Sequence, residues 1–165
     1  MAESFSFDVV SDFDRQELVN TLDQVKREIS QRYDLKGTDT VVDLDKENIF
    51  ITTNSELTLN AVNDIIRQKA IKRNLSLKIF DYGEKEIVSG NKVKQTITLK
   101  KGINQEAAKK ISKNIRDHIK KINVTINGET LRVSSKSKND LQLAIKLISD
   151  LEESLNIPLK ANNFR

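Results

Sequence analysis

Apolar and polar residues alternate from position 4 to 10. Phe5, Phe7 and Val9 fall on one side, and Ser4, Ser6 and Asp8 on the other. Period two is the pattern of a half-buried strand. At Asp14 the period lengthens, and Leu18, Leu22, Val25 and Ile29 share one helical face. Asp14 and Glu17 make an acidic capping box ahead of that face, with Phe13 placed to staple onto Leu18. Two strands are predicted next, over 40–44 and 48–53, around the polar turn Asp45-Lys46-Glu47. Ser55 offers an N-cap to a helix with Leu59, Val62 and Ile66 on its inner face, and the apolar stretch 75–80 predicts a closing strand. The order is β-α-β-β-α-β.

The rest of the chain repeats that order. Residues 94–99 read as a strand, Gly102 breaks it, and Asn104 caps a helix striped by Ile111, Ile115 and Ile119. Residues 123–126 and 130–135 read as a hairpin turning at Asn127-Gly128, a pair that accepts positive φ at both positions. Ser137 caps a last helix facing inward through Leu141, Ala144, Ile145, Ile148 and Leu151. Pro158 follows its end, and 159–162 closes the sheet. At an offset of 82, Ile51 matches Val133, Ser55 matches Ser137 and Ile66 matches Ile148. At an offset of 90, Val25 matches Ile115 and Ile29 matches Ile119. The difference of eight places an insertion at about 32–39 of the first copy.

The reading is an α+β fold of two ferredoxin-like βαββαβ repeats, antiparallel sheets with helices on one face. The expected boundaries are a first repeat over 1–82, a linker hairpin over 83–92 and a second repeat over 93–165.

Composition narrows the chemistry. The chain has no Cys and one His, so thiolate metal sites and disulfides are excluded. His118 stands alone on a lysine-rich helix and reads as structural. There is no G-x-x-x-x-G-K-[ST] loop, no nucleophile elbow, and no constellation of nucleophile, base and orienter. The expectation is a non-enzyme without metal or cofactor. The first residues lack a signal-peptide pattern and no apolar run spans a bilayer, so cytoplasmic location is expected, with no membrane partner.

The net charge of +4 is unevenly spread. Residues 1–91 hold 12 basic and 17 acidic residues, whereas 92–165 hold 16 and 7. Within 100–121 there are eight basic residues against Glu106 and Asp117. Such a bias points to an anionic partner. The repeat itself locates the change. Phe50 becomes Arg132, Asn54 becomes Lys136 and Glu56 becomes Lys138, all at one strand end and the following helix start. Cations there oppose the helix dipole, a cost that a bound anion would offset. Lys100 and Lys101 precede Gly102, where a backbone could approach a phosphate closely. Lys109, Lys110, Lys113 and Lys120 read as a solvated helix face. In the insertion, Arg32 and Lys36 could reach phosphates and Tyr33 could stack on a base. Phe50 points away from its neighbours' face and reads as packing between the repeats rather than as a base-stacking platform.

Several segments resemble the YajQ family of small bacterial proteins. They are Phe5-Ser6-Phe7-Asp8-Val9-Val10-Ser11, Arg32-Tyr33-Asp34-Leu35-Lys36-Gly37, Lys101-Gly102-Ile103, the run from Gly128 to Gln142, and Asn163-Phe164-Arg165. Lys36 stands where that family usually has Arg, and Asn74 where it usually has Gly. The resemblance implies two ferredoxin-like domains that can exchange a strand. It also implies nucleotide binding, with cyclic di-GMP, GTP and tRNA among the ligands. The expected binding residues are Lys100, Lys101, Arg132, Lys136 and Lys138 in one pocket, with Arg32, Tyr33 and Lys36 as a second contact and Phe164 and Arg165 from the C-terminus. The alternatives are RNA or tRNA binding along the basic repeat, and a module for protein partners.

Overall fold

The computed structural model describes residues 4–165. In chain order the elements are β1 (Phe5–Val10), α1 (Arg15–Gln31), β2 (Val41–Leu44), β3 (Asn48–Thr53), α2 (Glu56–Lys72), β4 (Phe80–Tyr82), β5 (Glu86–Val88), β6 (Lys92–Leu99), α3 (Gln105–His118), β7 (Asn123–Asn127), β8 (Thr130–Ser135), α4 (Lys138–Leu155) and β9 (Lys160–Asn162). The four helices begin where their caps predict. Asp14, Ser55, Asn104 and Ser137 each accept a hydrogen bond from the backbone N–H three residues on. Where 75–80 predicted a strand, the chain instead makes a short 3₁₀ turn over Leu77–Ile79 before pairing at Phe80. Ser76 caps that turn by accepting from the Lys78 N–H, a local bond that outcompetes the extended ladder.

Two antiparallel sheets form, ordered β7-β8-β1-β9 and β2-β3-β6-β4, with β5 also on β6. The α+β fold and its repeated unit are therefore as expected from the pattern. The grouping along the chain differs from the sequential boundaries 1–82 and 93–165. β1 pairs with β8 and β9, Phe7 standing opposite Val133. β6 pairs with β3, Ile97 opposite Ile49. Two compact units result: Phe13–Leu99, the middle unit, and residues up to Asp12 with Lys100–Arg165, the terminal unit. The physical reason is visible in the cores. Phe7 and Val9 are fully buried among Ile111, Ile115, Leu131 and Ile148, while Ile97 is buried among Leu22, Val25, Leu59 and Ile66. A period-two pattern names the face a strand buries but not the sheet it joins. β5 pairs with the first residues of β6 as a short hairpin, Glu86 opposite Lys94 and Val88 opposite Lys92, inside the middle unit.

This grouping also redistributes charge. The middle unit holds 14 basic and 14 acidic residues, and the terminal unit 14 and 10. The steep contrast between chain halves becomes a neutral unit and a moderately basic one.

The β7–β8 hairpin turns one residue later than Asn127-Gly128 predicted. Asn127 pairs with Thr130, so Gly128 and Glu129 are the central residues. Gly128 has φ 59°, and Glu129 is not left-handed. That is the requirement of a II′ turn, in which only the first central residue needs positive φ.

Candidate functional site

The corner from β8 into α4 is built by serines. Ser137 caps α4 by accepting from the Asp140 N–H at 3.3 Å. Ser135 is buried, and its hydroxyl accepts from the Ser137 N–H at 3.1 Å and donates to the Lys121 carbonyl at 3.3 Å. That last bond ties the turn after α3 to the start of α4. Between them opens a groove of about 760 Å³, lined by Lys120, Lys121 and Lys136 together with Ser4, Ser134, Ser137 and Asp140 among others. Three lysines and one aspartate thus line a groove at a helix N-terminus. Free N–H groups, the helix dipole and the lysines all favour an anion there.

The ten expected binding residues do not share this groove. Lys136 lines it. Lys138, on the first turn of α4, holds its Nζ 4.8 Å from the centre of the Phe5 ring. Arg132 lies on the open face of the sheet, where its Nε donates to Asp8 Oδ1 at 3.1 Å across the β1–β8 pair. Lys100 donates to the carbonyl of Asn156, the residue that ends α4. An 18-residue helix spans about 27 Å, so Lys100 and Lys136 sit at opposite ends of α4. Lys101 pairs with Asp12 at 3.7 Å. Gly102, expected to leave room for a phosphate, is left-handed at φ 85°, and a Cβ on it would stand 2.7 Å from Glu129 Oε2. A carboxylate occupies that approach, which repels phosphate. The single pocket of Lys100, Lys101, Arg132, Lys136 and Lys138 is therefore resolved into three places on the terminal unit.

The C-terminus runs beside β1. Arg165 and Ser6 exchange both backbone hydrogen bonds, at 2.9 and 3.1 Å. Asn163, left-handed at φ 55°, makes the bulge between that pair and β9, and its side chain donates to Asp8 Oδ2 at 2.8 Å. The Asn163 hydrogen bond, then the bond and charge of Arg132 and the charge of Arg165, hold the Asp8 carboxyl below the usual carboxylate range against the opposing effect of burial. Phe164 packs its ring 5.8 Å from that of Phe7 while staying largely exposed.

The insertion belongs to the middle unit. Arg32 is engaged within its own loop, donating through Nε and Nη2 to Asp34 at 2.7 and 3.0 Å. Tyr33 is 88% exposed, with Lys36 Nζ 5.5 Å from its ring centre. Lys36 also lines a groove of about 380 Å³ with Lys26, Ile29, Leu35 and Val42. On the open face of the same unit, the half-buried Phe50 carries Lys94 Nζ at 5.7 Å. His118 is exposed, and its Nδ1 stands 2.8 Å from the Asn114 carbonyl. Among the described residues no group of three or more His, Asp or Glu could hold a metal ion, and no helix is long and apolar enough to cross a membrane.

Lys120 and Lys121 are groove residues that helix periodicity does not find, because it places Lys120 on a solvated face and says nothing of Lys121. A signal was available in the repeat. The second copy lacks the insertion, so Lys120 and Lys121 run straight into β7. Asn123 at the start of β7 pairs with Ser134 near the end of β8. Both loops must then emerge at one end of the sheet.

Residues 5–165 match the family described as Nucleotide-binding protein YajQ-like. Among curated relatives, the chain is similar to a nucleotide-binding protein of Prochlorococcus marinus strain MIT 9312, with 92% identity over the whole of both chains. It is 90% identical, again over the whole of both, to a nucleotide-binding protein of strain AS9601. A nucleotide-binding protein of Synechococcus sp. strain CC9605 is 56% identical over the same extent.

Proposed function

The chain belongs to the YajQ-like family of nucleotide-binding proteins, and from that premise we propose that it is a non-catalytic receptor for a purine nucleotide whose phosphates sit at the N-terminus of α4. The observation that carries this reading is the groove of about 760 Å³ where Lys120, Lys121 and Lys136 converge. Ligand sites run to roughly 300–1,000 Å³, so a whole nucleotide fits. Three lysines against the Asp140 carboxylate leave a net charge of +2 in the groove (3 − 1), which balances the two phosphates of cyclic di-GMP and offsets part of the charge of GTP. Asp140 is the groove's one carboxylate, and among the described residues none of the lining serine hydroxyls donates to it, which supports binding without turnover.

Calorimetric titration of the full chain with GTP, cyclic di-GMP and tRNA at two salt concentrations tests this. One nucleotide per chain is expected, with a shallow salt dependence. Each lysine contact to a phosphate contributes about 1.5–3 kcal/mol. Lys121→Ala with Lys136→Ala therefore lowers affinity at least a hundredfold, while Lys100→Ala leaves it unchanged. Undiminished affinity in the double variant would reject the groove. A ligand preference for tRNA, with a slope of several phosphate contacts, would reassign the basic surface to RNA.

A further inference from the structure

A different part of the terminal unit suggests a protein partner. β7 ends its sheet, with β8 on one side and no strand on the other among the described residues. The ladder is closed by a two-residue turn at the Asn127–Thr130 pair. By the alternation of antiparallel bonding, Val124 and Ile126 then turn their N–H and C=O groups to the free side. Beside that edge runs a groove of about 360 Å³ lined by Lys109, Ser112, Lys113, Arg116, Asp117 and Ile126. Ile126 lies on the core face of the sheet, opposite the fully buried Leu131, yet is 40% exposed.

The repeat shows how the same edge is handled in the other copy. There the insertion folds back, and Leu35, 2% exposed, joins the core beside Ile29 and Val42. Val42 is buried, whereas its counterpart Val124 is only half-buried. The second copy has lost the insertion, so the apolar edge lacks that cover and cations stand along it instead.

We propose that the free edge of β7 accepts an extended, acidic segment of a partner protein as an added strand. Lys109, Lys113 and Arg116 span about 10 Å of helix. Acidic side chains at i and i+2 of an added strand stand about 7 Å apart, so two of them reach this row while β7 supplies the backbone bonds. A further residue on that same face, two positions beyond the acidic pair, is apolar and covers Ile126. Nucleic acid suits the surface less well. None of the residues lining the groove carries an aromatic ring on which a base could stack, and Asp117 sits among the cations.

The test uses the full chain and labelled eight-residue peptides that carry two Glu and one Val, Ile or Leu at alternate positions, on one face, with Thr between them. Expected are saturable binding by fluorescence anisotropy and slowed amide exchange at Val124 and Ile126. A loss of at least tenfold is expected in Lys109→Glu with Lys113→Glu, whose nucleotide titration stays as in the parent. Peptides with Lys in place of Glu bind at least tenfold more weakly. The proposal is overturned if none of the acidic peptides binds, if binding survives the charge reversal, or if the β7 amides stay unprotected. It is equally overturned if a single-stranded RNA oligonucleotide, and not the peptides, responds to the same variants.

Discussion

The middle and terminal units share one plan and spend their loops differently. In the middle unit one of the eight extra residues turns inward. Leu35 is buried and Arg32 is neutralised by Asp34 within the loop, and the unit as a whole carries no net charge. In the terminal unit the same connection is cut short. Lys120 and Lys121 then meet Lys136 at the mouth of α4. A duplication thus separates what the fold needs from what it tolerates. The apolar positions recur in both copies. The lysine at the mouth of the helix that follows the hairpin, Lys136, appears in one, where the other has Asn54.

The comparison is broken most directly through the strands that join distant parts of the chain. Phe7 is fully buried in the terminal unit and Ile97 in the middle unit. Phe7→Ala should cost about 3–5 kcal/mol and Ile97→Ala about 2–5 kcal/mol. Amide exchange resolves where each loss falls. Phe7→Ala should speed exchange in β8, α3 and α4, and Ile97→Ala in β3, α1 and α2. If Phe7→Ala loosened residues 13–99 first, the grouping of β1 with β8 and β9 would be wrong.

Glycine replacement gives a smaller contrast. Gly102 and Gly37 have nearly equal φ, 85° and 87°. Either Gly→Ala change incurs the left-handed penalty of about 1–2 kcal/mol. At Gly102 the new Cβ also meets the Glu129 carboxylate, whereas at Gly37 it meets nothing within 4 Å. In urea unfolding, Gly102→Ala should therefore be the costlier change, and Glu129→Ala should remove only the difference. Equal costs would show that Glu129 gives way freely.

The sequence pattern was sufficient for most elements, the 3₁₀ turn at Leu77–Ile79 excepted, and insufficient for adjacency. Caps, strand periods and the eight-residue insertion are local properties, written in consecutive residues, and each was legible. Whether Phe7 meets Val133 or Ile51 is decided by pairing across more than a hundred positions, which period two does not encode. The same limit governed the site. Substituting Lys136 and Lys138 for Asn54 and Glu56 marked the right corner. Yet Arg132 faces the open side of the sheet opposite Asp8, Lys138 rests on Phe5, and Lys100 secures the far end of α4. A basic residue near a helix start in sequence has several directions in which to spend its charge. Lys120 and Lys121 were the converse case. Helical spacing assigned Lys120 to solvent and left Lys121 unplaced, and only the shortened connection brings both to the groove.

The helix caps sharpen the contrast at about 1 kcal/mol each. Ser55→Ala and Ser137→Ala remove equivalent caps from α2 and α4. Thermal denaturation should register both to a similar degree. Nucleotide affinity should fall only for Ser137→Ala, since that hydroxyl lines the groove. A parallel fall for Ser55→Ala would argue that the ligand is not confined to the terminal unit.

The smallest effect concerns acid. In the terminal unit Asp8 gathers Asn163 and Arg132, and its folded pKa lies below the ordinary value. At the equivalent position of the middle unit, Phe50 replaces Arg132 and faces Thr96. Asp34, lowered by its hydrogen bond to Arg32, belongs to an exposed loop pair that contributes little. A depressed carboxyl stabilises the fold fully above its unfolded pKa, about 3.9, and loses that contribution as pH falls through the folded value. Asn163–Arg165 should therefore stay docked on β1 from neutral pH down to about 4 and loosen only below it. NMR shifts of the Phe164 and Arg165 amides report this directly. Asn163→Ala removes the largest lowering influence and should move the midpoint upward toward the ordinary carboxylate value. A midpoint unmoved by Asn163→Ala would mean that the backbone pair of Arg165 with Ser6, and not the Asp8 carboxylate, fastens the C-terminus.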